Sequence, residues 1–335
     1  MHQTASKRWA TTTALSILAF AAAATLLPTS ANAAAKYVAR MSIEVQEGHP
    51  KQVAMEKFAK LVSERTNGEV EIKIFPNSQL GGELETAEGI RLGSIQMGAV
   101  TSSVLVNWVP EVQVLDLPFI FRSEEHAKKA NALLTAKMSE KFEKQGFHLL
   151  GFSVNGAREL ISTFPIEKPE DVKGRKMRVL QSPIHIEMWK LVGANPVAIP
   201  APEIYSSLQS KVVDYCDNTT TNYATFRFYE VAKNFTKLDH IFAMAAWIVD
   251  AKWWARLPKP YQEAITKSAA EIQPLIPELL AKTDDAALAK ATEGGAKIFI
   301  VKDKGPWQKA MSPVWEQYSG KIPGGKELIT EIGAL

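Results

Sequence analysis

The sequence predicts an α/β protein with two lobes, and three features carry that prediction. From Lys36 onward, strand-like and helix-like segments alternate, which is typical of an α/β sandwich built from crossover units. The chain has 335 residues, and single cores rarely grow beyond about 250–300 residues, so two lobes are expected. The sequence shows no self-similarity at a period of roughly 20–50 residues, which argues against a repeat architecture.

Hydrophobic periodicity and turn residues define the elements of the first lobe. Val70, Ile72 and Ile74 alternate with charged residues, which is the period of a half-buried strand. Gly68 ends the preceding helix because glycine tolerates a left-handed backbone. The predicted elements are a strand at 38–45, a helix at 50–67, a strand at 70–74, a helix at 82–92 and a strand at 95–100.

The second lobe is predicted to begin near Asn155, after an apolar strand at 147–154. Its predicted elements are strands at 176–179, 197–199 and 212–216, helices at 182–192 and 203–210, and strands at 235–243 and 247–250 that cross back to the first lobe. The expected boundaries are lobe I at 34–155, with roughly 244–283 crossing back, and lobe II at 156–243, with roughly 284–335.

A long helical pattern at 260–291 suggests one element that bridges both lobes. Pro274 and Pro277 lie inside this pattern. Proline removes a helix hydrogen bond and collides with the preceding turn. We therefore expect the bridging helix to be broken or kinked at these prolines.

The N-terminus has the three-part layout of a secretory signal peptide. Two basic residues precede an apolar run at 14–27, and small residues follow at 31 and 33. The run is shorter than the roughly 20 residues that span a bilayer, so we expect a signal peptide at 1–33 that is cleaved; an uncleaved anchor is the alternative. Cleavage lowers the formal net charge from +3 to +1. We expect a periplasmic protein that does not span the membrane and has no nucleic-acid partner.

The sequence lacks the common catalytic and metal-binding motifs. Cys216 is the only cysteine, which excludes an internal disulfide and a cysteine-rich zinc site. Neither Gly-x-Ser-x-Gly nor His-Glu-x-x-His occurs. Near the C-terminus, Glu327 stands where a phosphate loop requires Ser or Thr. We predict no enzyme, no cofactor and no metal site; a secreted hydrolase or lyase with a site assembled only by the fold is the alternative.

A basic segment at 173–179 contains the strongest candidate for a binding residue. In a strand there, Met177 and Val179 face the core, which places Arg178 on the opposite side. Arg178 lies at the C-terminal end of the strand, and in open α/β sheets that end lines the crevice where ligands bind. Its guanidinium offers parallel donors to both oxygens of a carboxylate. Arg178 is therefore predicted to bind the carboxylate of a small organic anion.

Several longer motifs occur in a characteristic order along the chain. They are Phe75-Pro76-Asn77-Ser78-Gln79-Leu80-Gly81, Leu117-Pro118-Phe119-Ile120-Phe121, Gly174-x-Lys176-x-Arg178, Gly193-Ala194-x-Pro196 and Glu203-x-Tyr205-x-x-Leu208-Gln209. In this order they resemble the solute-binding proteins of tripartite ATP-independent periplasmic (TRAP) transporters, the family first known for C4-dicarboxylate uptake. The resemblance implies a two-lobe periplasmic binding protein fold with a central cleft, hinge strands and a long bridging helix.

The resemblance also implies a set of ligand-binding residues. In sialic-acid-binding members, the strand arginine of Gly-x-Lys-x-Arg forms a salt bridge with the ligand carboxylate, and Arg178 matches it. A second arginine after an Asn-Gly pair matches Arg158, and an asparagine after the strand arginine matches Asn218. The whole expected set is Arg178, Arg158, Asn218, Gln181, Glu88, Arg91 and Asp217. Asp217 lies in a segment that departs from the family pattern, so the rest of the ligand stays undefined.

As its function, the resemblance implies the capture of a small organic acid by a monomer that delivers it to TRAP membrane permease subunits. A sensory protein that presents the same ligand to a receptor kinase is a further alternative. Trp189, Tyr205 and Phe226 are interpreted as core residues. One aromatic residue at 223–229 could instead stack on the ligand or shield it.

Overall fold

The computed structural model describes residues 35–335, and the predicted signal peptide lies outside the described residues. The strands are β1 (Tyr37–Ser42), β2 (Val70–Phe75), β3 (Met97–Thr101), β4 (Phe147–Ser162), β5 (Lys176–Val179), β6 (Asn195–Ala198), β7 (Tyr215–Thr219), β8 (Asn234–Lys237), β9 (Phe242–Asp250) and β10 (Lys297–Ile300). They join in the order β2-β1-β3-β9-β4-β7-β5-β6, with β8 beside β4 and β10 beside β8.

Helices cover the faces of these strands. They are α1 (Pro50–Arg65), α2 (Glu83–Leu92), α3 (Glu124–Lys144), α4 (Pro183–Leu191), α5 (Ile204–Gln209), α6 (Thr220–Thr225), α7 (Ala251–Ala255), α8 (Lys259–Ile272), α9 (Leu275–Glu293), α10 (Gly305–Met311), α11 (Pro313–Ser319) and α12 (Gly325–Gly333). Within the described part of the chain, none of the helices is both long enough and apolar enough to cross a bilayer.

The strands fall into two groups that share β4. In the first group, β1 runs parallel to β2 and β3, and β9 runs antiparallel to β3 and β4. From Arg158 onward, β4 pairs instead with β7 and β8, and β5 lies parallel to β6 and β7. We call these groups the first sheet (β1, β2, β3, β9) and the second sheet (β5 to β8, β10), with β4 common to both. The α/β prediction is therefore confirmed, while the lobe boundaries remain a prediction.

Two glycines allow β4 to run through both sheets. The pairing of β4 with β9 shifts register at Gly151 and again at Gly156. Both glycines have positive φ, 127° and 101°, a conformation that residues with a Cβ rarely adopt. Bulges of this kind bend a strand and increase its twist. The second bulge lies two residues before Arg158 and thus at the point where β4 changes its partners.

Apolar side chains pack in three clusters around the sheets. One cluster joins α1, α8 and the first sheet, where Phe58 and Trp247 meet edge to face with ring centroids 5.2 Å apart. A second cluster joins α3, α4 and the C-terminal helices, and it contains the fully buried Trp189. The third lies behind the second sheet around Tyr223 and Phe235. Together they hold the strand ends near Arg158 in fixed positions.

The predicted bridging helix is two helices in the structure. Helix α8 ends at Ile272 and α9 begins at Leu275, so the break falls at Gln273 and Pro274. Pro277 lies in the first turn of α9, where no helical hydrogen bond is lost. One of the two prolines thus breaks the pattern and the other is accommodated.

Other predicted elements differ from the observed ones. The strand predicted at 212–216 is β7, shifted to 215–219, and the segment at 235–243 contains the separate strands β8 and β9. Residues 238–241 form the connection between them, and Asp239 has a positive φ of 51°. Helix α3, with 21 residues, was not predicted.

Candidate functional site

A cleft lies where β4 passes from the first sheet to the second. It contains two adjoining cavities of about 370 and 390 Å³. Because the cavities share lining residues, they form one continuous space in the cleft. The shared residues are Glu44, Thr101, Arg158, Asn218 and Asn222.

Arg178 lies on one wall of the cleft, near the end of β5. Its neighbours Met177 and Val179 are fully buried in the core, which directs the arginine to the cavity side of the strand. Its Nε donates to the carbonyl oxygen of Ile199 at 2.7 Å. Burial, and then the charge of Arg158, lower the pKa of Arg178 to about 10. The guanidinium therefore stays charged at neutral pH.

Arg158 reaches the same cavities from β4, but an acidic partner already neutralises it. Its Nε donates to Oδ2 of Asp217 at 2.7 Å, and its Nη2 donates to Oδ1 at 2.8 Å. Burial alone raises the pKa of Asp217, but Arg158 and His240 outweigh burial and bring it well below the ordinary value. Within residues 35–335, no carboxylate forms an equivalent ion pair with Arg178. The two arginines thus differ in charge balance, and Arg178 carries the excess.

Two asparagines beside the arginines supply neutral hydrogen-bonding groups. The Oδ1 of Asn218 accepts hydrogen bonds from the Thr219 amide and from Nδ2 of Asn222, both at 2.9 Å. Both asparagines line both cavities. With its oxygen occupied by these two donors, Asn218 presents its amide nitrogen as a donor for a ligand.

His49 joins this group from the opposite side of the cleft. The amide of Lys51 donates to its Nδ1 at 3.1 Å, so Nε2 carries the hydrogen and donates to Oδ1 of Asn222 at 3.0 Å. Burial lowers the pKa of His49 to about 4. The imidazole is therefore neutral at physiological pH and acts as a hydrogen-bonding link.

The opposite side of the cleft carries carboxyl groups. Glu44 lines both cavities and pairs with Nζ of Lys51 at 2.8 Å. Glu83, at the start of α2, accepts a hydrogen bond from the Thr101 amide at 2.6 Å and lines the cavity that contains Arg178. We call the side with Glu44, Lys51, Glu83 and Thr101 the first wall, and the side with Arg158, Arg178, Asn218 and Asn222 the second wall.

The family of the chain follows from its match to known sequences. The profile of the bacterial extracellular solute-binding protein family 7 matches residues 41–321. This chain belongs to that family. The family 7 protein is 30% identical over 311 residues to the C4-dicarboxylate-binding periplasmic protein DctP of Shewanella loihica, which covers 91% of this chain and 92% of that protein.

Solved structures agree with this membership. The family 7 protein is similar to a TRAP periplasmic solute-binding protein of Sulfurospirillum deleyianum with bound succinate, at 34% identity and a TM-score of 0.83, covering 90% of this chain and 99% of the other. A TRAP protein of Xanthobacter autotrophicus with bound β-D-galacturonate is 31% identical with a TM-score of 0.83, covering 88% and 99%. The protein is thus a TRAP-type solute-binding protein with the two-lobed fold, not an enzyme, and no comparison favours the hydrolase or lyase alternative.

The residues expected from the sequence fall into three groups in this family 7 protein. Arg178, Arg158 and Asn218 lie together in the cleft. Asp217 is fully buried behind Arg158 and contributes through that arginine. Gln181 is half-buried next to Leu180, which lines the cavity.

Glu88 and Arg91 are the expected residues that the fold keeps apart from the cleft. Both lie on the exposed face of α2 and line neither cavity. The carboxyl of α2 that lines the cleft is Glu83, more than one helical turn earlier. Successive residues of a helix differ in direction by about 100°, so an offset of five residues changes the face. We therefore leave Glu88 and Arg91 out of the proposed site.

Sequence reasoning missed the first wall, and it left open which aromatic residue at 223–229 faces the ligand. Phe226 and Phe228 stack with ring centroids 5.6 Å apart and line the cavity, so Phe226 is not only a core residue. The sequence positions of three residues of the first wall, Glu44, Lys51 and Glu83, could have indicated this wall. A charged residue directly at a strand end or a helix start lies at the sheet edge where ligands bind.

Proposed function

We propose that this protein binds a small organic acid through Arg178 and delivers it to a TRAP permease in the membrane. The observation that carries the proposal is the buried guanidinium of Arg178, 2% exposed, which lines the cavity without a carboxylate partner among residues 35–335. A buried unpaired charge is costly unless a ligand of opposite charge completes it. The carboxylates bound by the succinate and galacturonate relatives support this ligand class.

In the proposed complex, the ligand carboxylate lies against both arginines. Arg178 uses Nε for Ile199, which leaves its terminal nitrogens for the two carboxylate oxygens. Arg158 is held by Asp217 through Nε and Nη2, so Nη1 is its free donor toward the cavity. Asn218 adds an amide donor. Charge-assisted hydrogen bonds of this kind are about twice as strong as neutral ones.

Delivery requires a state that the permease can distinguish from the empty protein. Contacts from both walls to one ligand favour the closed cleft by their differential affinity for it. We propose that the protein works in the periplasm as a monomer and that permease subunits recognise the closed form. No step of chemistry on the ligand is part of the proposal.

A thermal-shift screen of organic acids followed by calorimetry of a charge-conserving variant tests this function. A bound acid should raise the melting temperature by mass action, equivalent to about 2.7 kcal/mol at a hundredfold excess over the Kd. Arg178→Lys should weaken binding of the best acid by at least about thirtyfold, or about 2 kcal/mol, because one ammonium cannot reproduce the paired donors.

The matched control is Arg175→Lys, which makes the same change three residues earlier on an exposed side chain. Arg175 stacks over Phe164 with its guanidinium carbon 4.4 Å from the ring centroid, away from both cavities. This variant should bind like the wild type. Equal affinities for wild type and Arg178→Lys, or a response to neutral compounds only, would contradict the proposed function.

A further inference from the structure

The charges around the cleft restrict what the ligand can carry besides one carboxylate. Three cations, Arg158, Arg178 and Lys51, lie around the two cavities. Three carboxyl groups lie close to these cations. Asp217 lies behind Arg158, Glu44 lies beside Lys51, and Glu83 lies at the start of α2. With all three carboxyls ionised the site is neutral. With one of them protonated, it holds a single positive charge.

Glu83 is the carboxyl group best placed to hold that proton. Its Oε1 accepts from the Thr101 amide at 2.6 Å. Burial, followed by the nearby charge of Glu44, raises the pKa of Glu83, while Lys51 and the hydrogen bond from Thr101 oppose the rise. Arg178 faces it from the second wall. By contrast, the ion pair with Arg158 favours the charged form of Asp217, and Glu44 forms an ion pair with Lys51.

We propose that the ligand is a monocarboxylate with hydroxyl groups, and that Glu44 and Glu83 are the residues that select it over a dicarboxylate. This inference rests on the proposed function, because it assumes that Arg178 binds the first carboxylate. A monoanion then balances the single positive charge that remains when Glu83 is protonated. A dianion leaves an uncompensated negative charge among buried side chains, which is costly.

The first wall also has the hydrogen-bonding groups that hydroxyls need. Lys51, the cation that could receive a second carboxylate, is 2% exposed and engaged by Oε1 of Glu44. Oε2 of Glu44 is buried without a hydrogen-bond partner among residues 35–335. A ligand hydroxyl can donate to this oxygen, whereas a second carboxylate has no hydrogen to donate. Protonated Glu83 can donate to a hydroxyl oxygen in return.

The site should therefore take up a proton when the ligand binds. The bound state favours protonated Glu83, so affinity is full below the pKa of Glu83 and falls as the pH rises above it. In the limit of one linked proton, the loss is about tenfold per pH unit. Two other groups beside the cavities do not contribute to this pH dependence. The pKa is about 4 for His49 and about 10 for Arg178, so neither changes its charge in the range between.

Three four-carbon acids separate charge from shape. Succinate is the dianion, succinamate replaces one carboxylate by an amide of the same shape, and 4-hydroxybutyrate replaces it by a terminal hydroxyl. Calorimetry at neutral pH, with D-galacturonate as a hydroxyl-rich reference, gives the four affinities. We expect at least one of the monoanions to bind wild type at least about tenfold more tightly than succinate, since the second carboxylate of succinate meets the like charges of the first wall.

Glu83→Gln tests the proton directly. Calorimetry in two buffers of different ionisation enthalpy should detect proton uptake by the wild type with the tightest monoanion and none by the variant. The affinity of the variant should be independent of pH between about 5 and 9. The matched control is Glu85→Gln, which makes the same change on an exposed side chain of α2 and should keep the pH dependence of the wild type.

The outcomes distinguish this inference from the function on which it rests. Succinate binding as tightly as the monoanions, or an unchanged pH dependence in Glu83→Gln, would overturn the selection by Glu44 and Glu83 and leave the Arg178 contact standing. If no acid raises the melting temperature in the wider screen, both proposals fail together. A double variant, Glu44→Gln with Glu83→Gln, frees Lys51 and should narrow the gap between succinate and succinamate to less than about threefold if the charge balance is the cause.

Discussion

At the scale of single residues, the site depends on two arginines that the protein treats differently. Arg158 is 5% exposed and paired with Asp217, which is fully buried. Nε2 of His240 lies 3.1 Å from Oδ2 of the same carboxylate. Because an ionised carboxylate oxygen only accepts hydrogen bonds, His240 is the donor. Arg158 is therefore fixed in position, and the charge of Asp217 balances its own. Arg178 keeps its charge for the ligand.

Asp217→Asn should destabilise the folded protein strongly. The substitution leaves the Arg158 guanidinium buried, uncompensated and close to Arg178, and breaking one side of a buried ion pair costs about 3–5 kcal/mol. The pKa of Asp217 lies well below its usual value, so the stabilisation by the pair is present above that usual value and is lost as the pH falls through the lower pKa. Urea unfolding at pH 7 measures the free energy of unfolding.

The control for this prediction removes both ions. Arg158→Met combined with Asp217→Asn removes both ions of the pair, and such replacements are often close to neutral in stability. The double variant should therefore be more stable than Asp217→Asn alone, although it binds ligand poorly. A double variant that loses at least as much free energy of unfolding as Arg158→Met and Asp217→Asn lose together would show that the two residues do not act as a pair.

The sequence was informative about residues at strand ends and misleading about residues whose neighbours are all buried. Arg178 could be predicted because Met177 and Val179 alternate with it. Every residue of β7 is buried, so no alternation indicates which side chains face the cleft. Burial along β7 therefore could not show that Asp217 lies behind Arg158 whereas Asn218 faces the cavity.

At the scale of elements, β4 determines where the cleft forms. Its 16 residues pair first with β9 and then with β7 and β8. The bulge at Gly156 re-aims the strand just before Arg158. Only a residue that accepts a positive φ allows this turn within a strand.

Gly156→Ala should lower both stability and affinity. A Cβ at this position meets Thr219 Cγ2 at 3.6 Å, which is ordinary contact, but φ is +101°. The cost is therefore backbone strain of about 1–3 kcal/mol, and relief of that strain displaces Arg158. Thermal unfolding and calorimetry with the acid found by screening measure the two effects.

Gly333→Ala is the matched control for this substitution. Gly333 ends α12 without a positive φ, and a Cβ there meets nothing within 4 Å. Alanine is the better helix former by about 1 kcal/mol, so this variant should be as stable as the wild type or more stable. If the two variants behaved alike, the bulge would have no special role.

Elements with strong local signals were predicted well. The strand at 176–179 matches β5 residue for residue. Helix α3 was overlooked although Ser123 caps it and its buried residues recur at helical spacing, so its signal was present in the sequence. The glycine bulges were not predicted because a positive φ at Gly156 depends on the two partners of β4, which are distant in sequence.

At the scale of the whole molecule, the chain length and the alternation of strand-like and helix-like segments predicted the two-lobed α/β fold. The contacts that join the two walls of the cleft depend instead on how the chain folds. Gln46 Nε2 donates to the carbonyl oxygen of Thr225, and His49 bonds Asn222 at 3.0 Å. These bonds connect residues 179 and 173 positions apart. Single polar side chains give no sign of such distant partners, so these two hydrogen bonds could not be predicted.

Gln46→Ala should weaken ligand binding without removing a cavity-lining residue. The bond from Gln46 to Thr225 joins the two sides of the cleft, so we expect it to stabilise the closed state, and Gln46 itself lines neither cavity. Loss of one such hydrogen bond removes about 1 kcal/mol from the closed state, which raises the Kd by about fivefold. Most of the change should be a faster dissociation rate, because the open protein captures ligand as before.

Gln262→Ala is the control, since Gln262 donates to the Trp254 carbonyl at 2.8 Å near the start of α8, far from the cleft. Stopped-flow fluorescence should give an unchanged rate for Gln262→Ala, and an equal effect of both variants would mean that the bond from Gln46 stabilises the fold in general rather than the closed cleft.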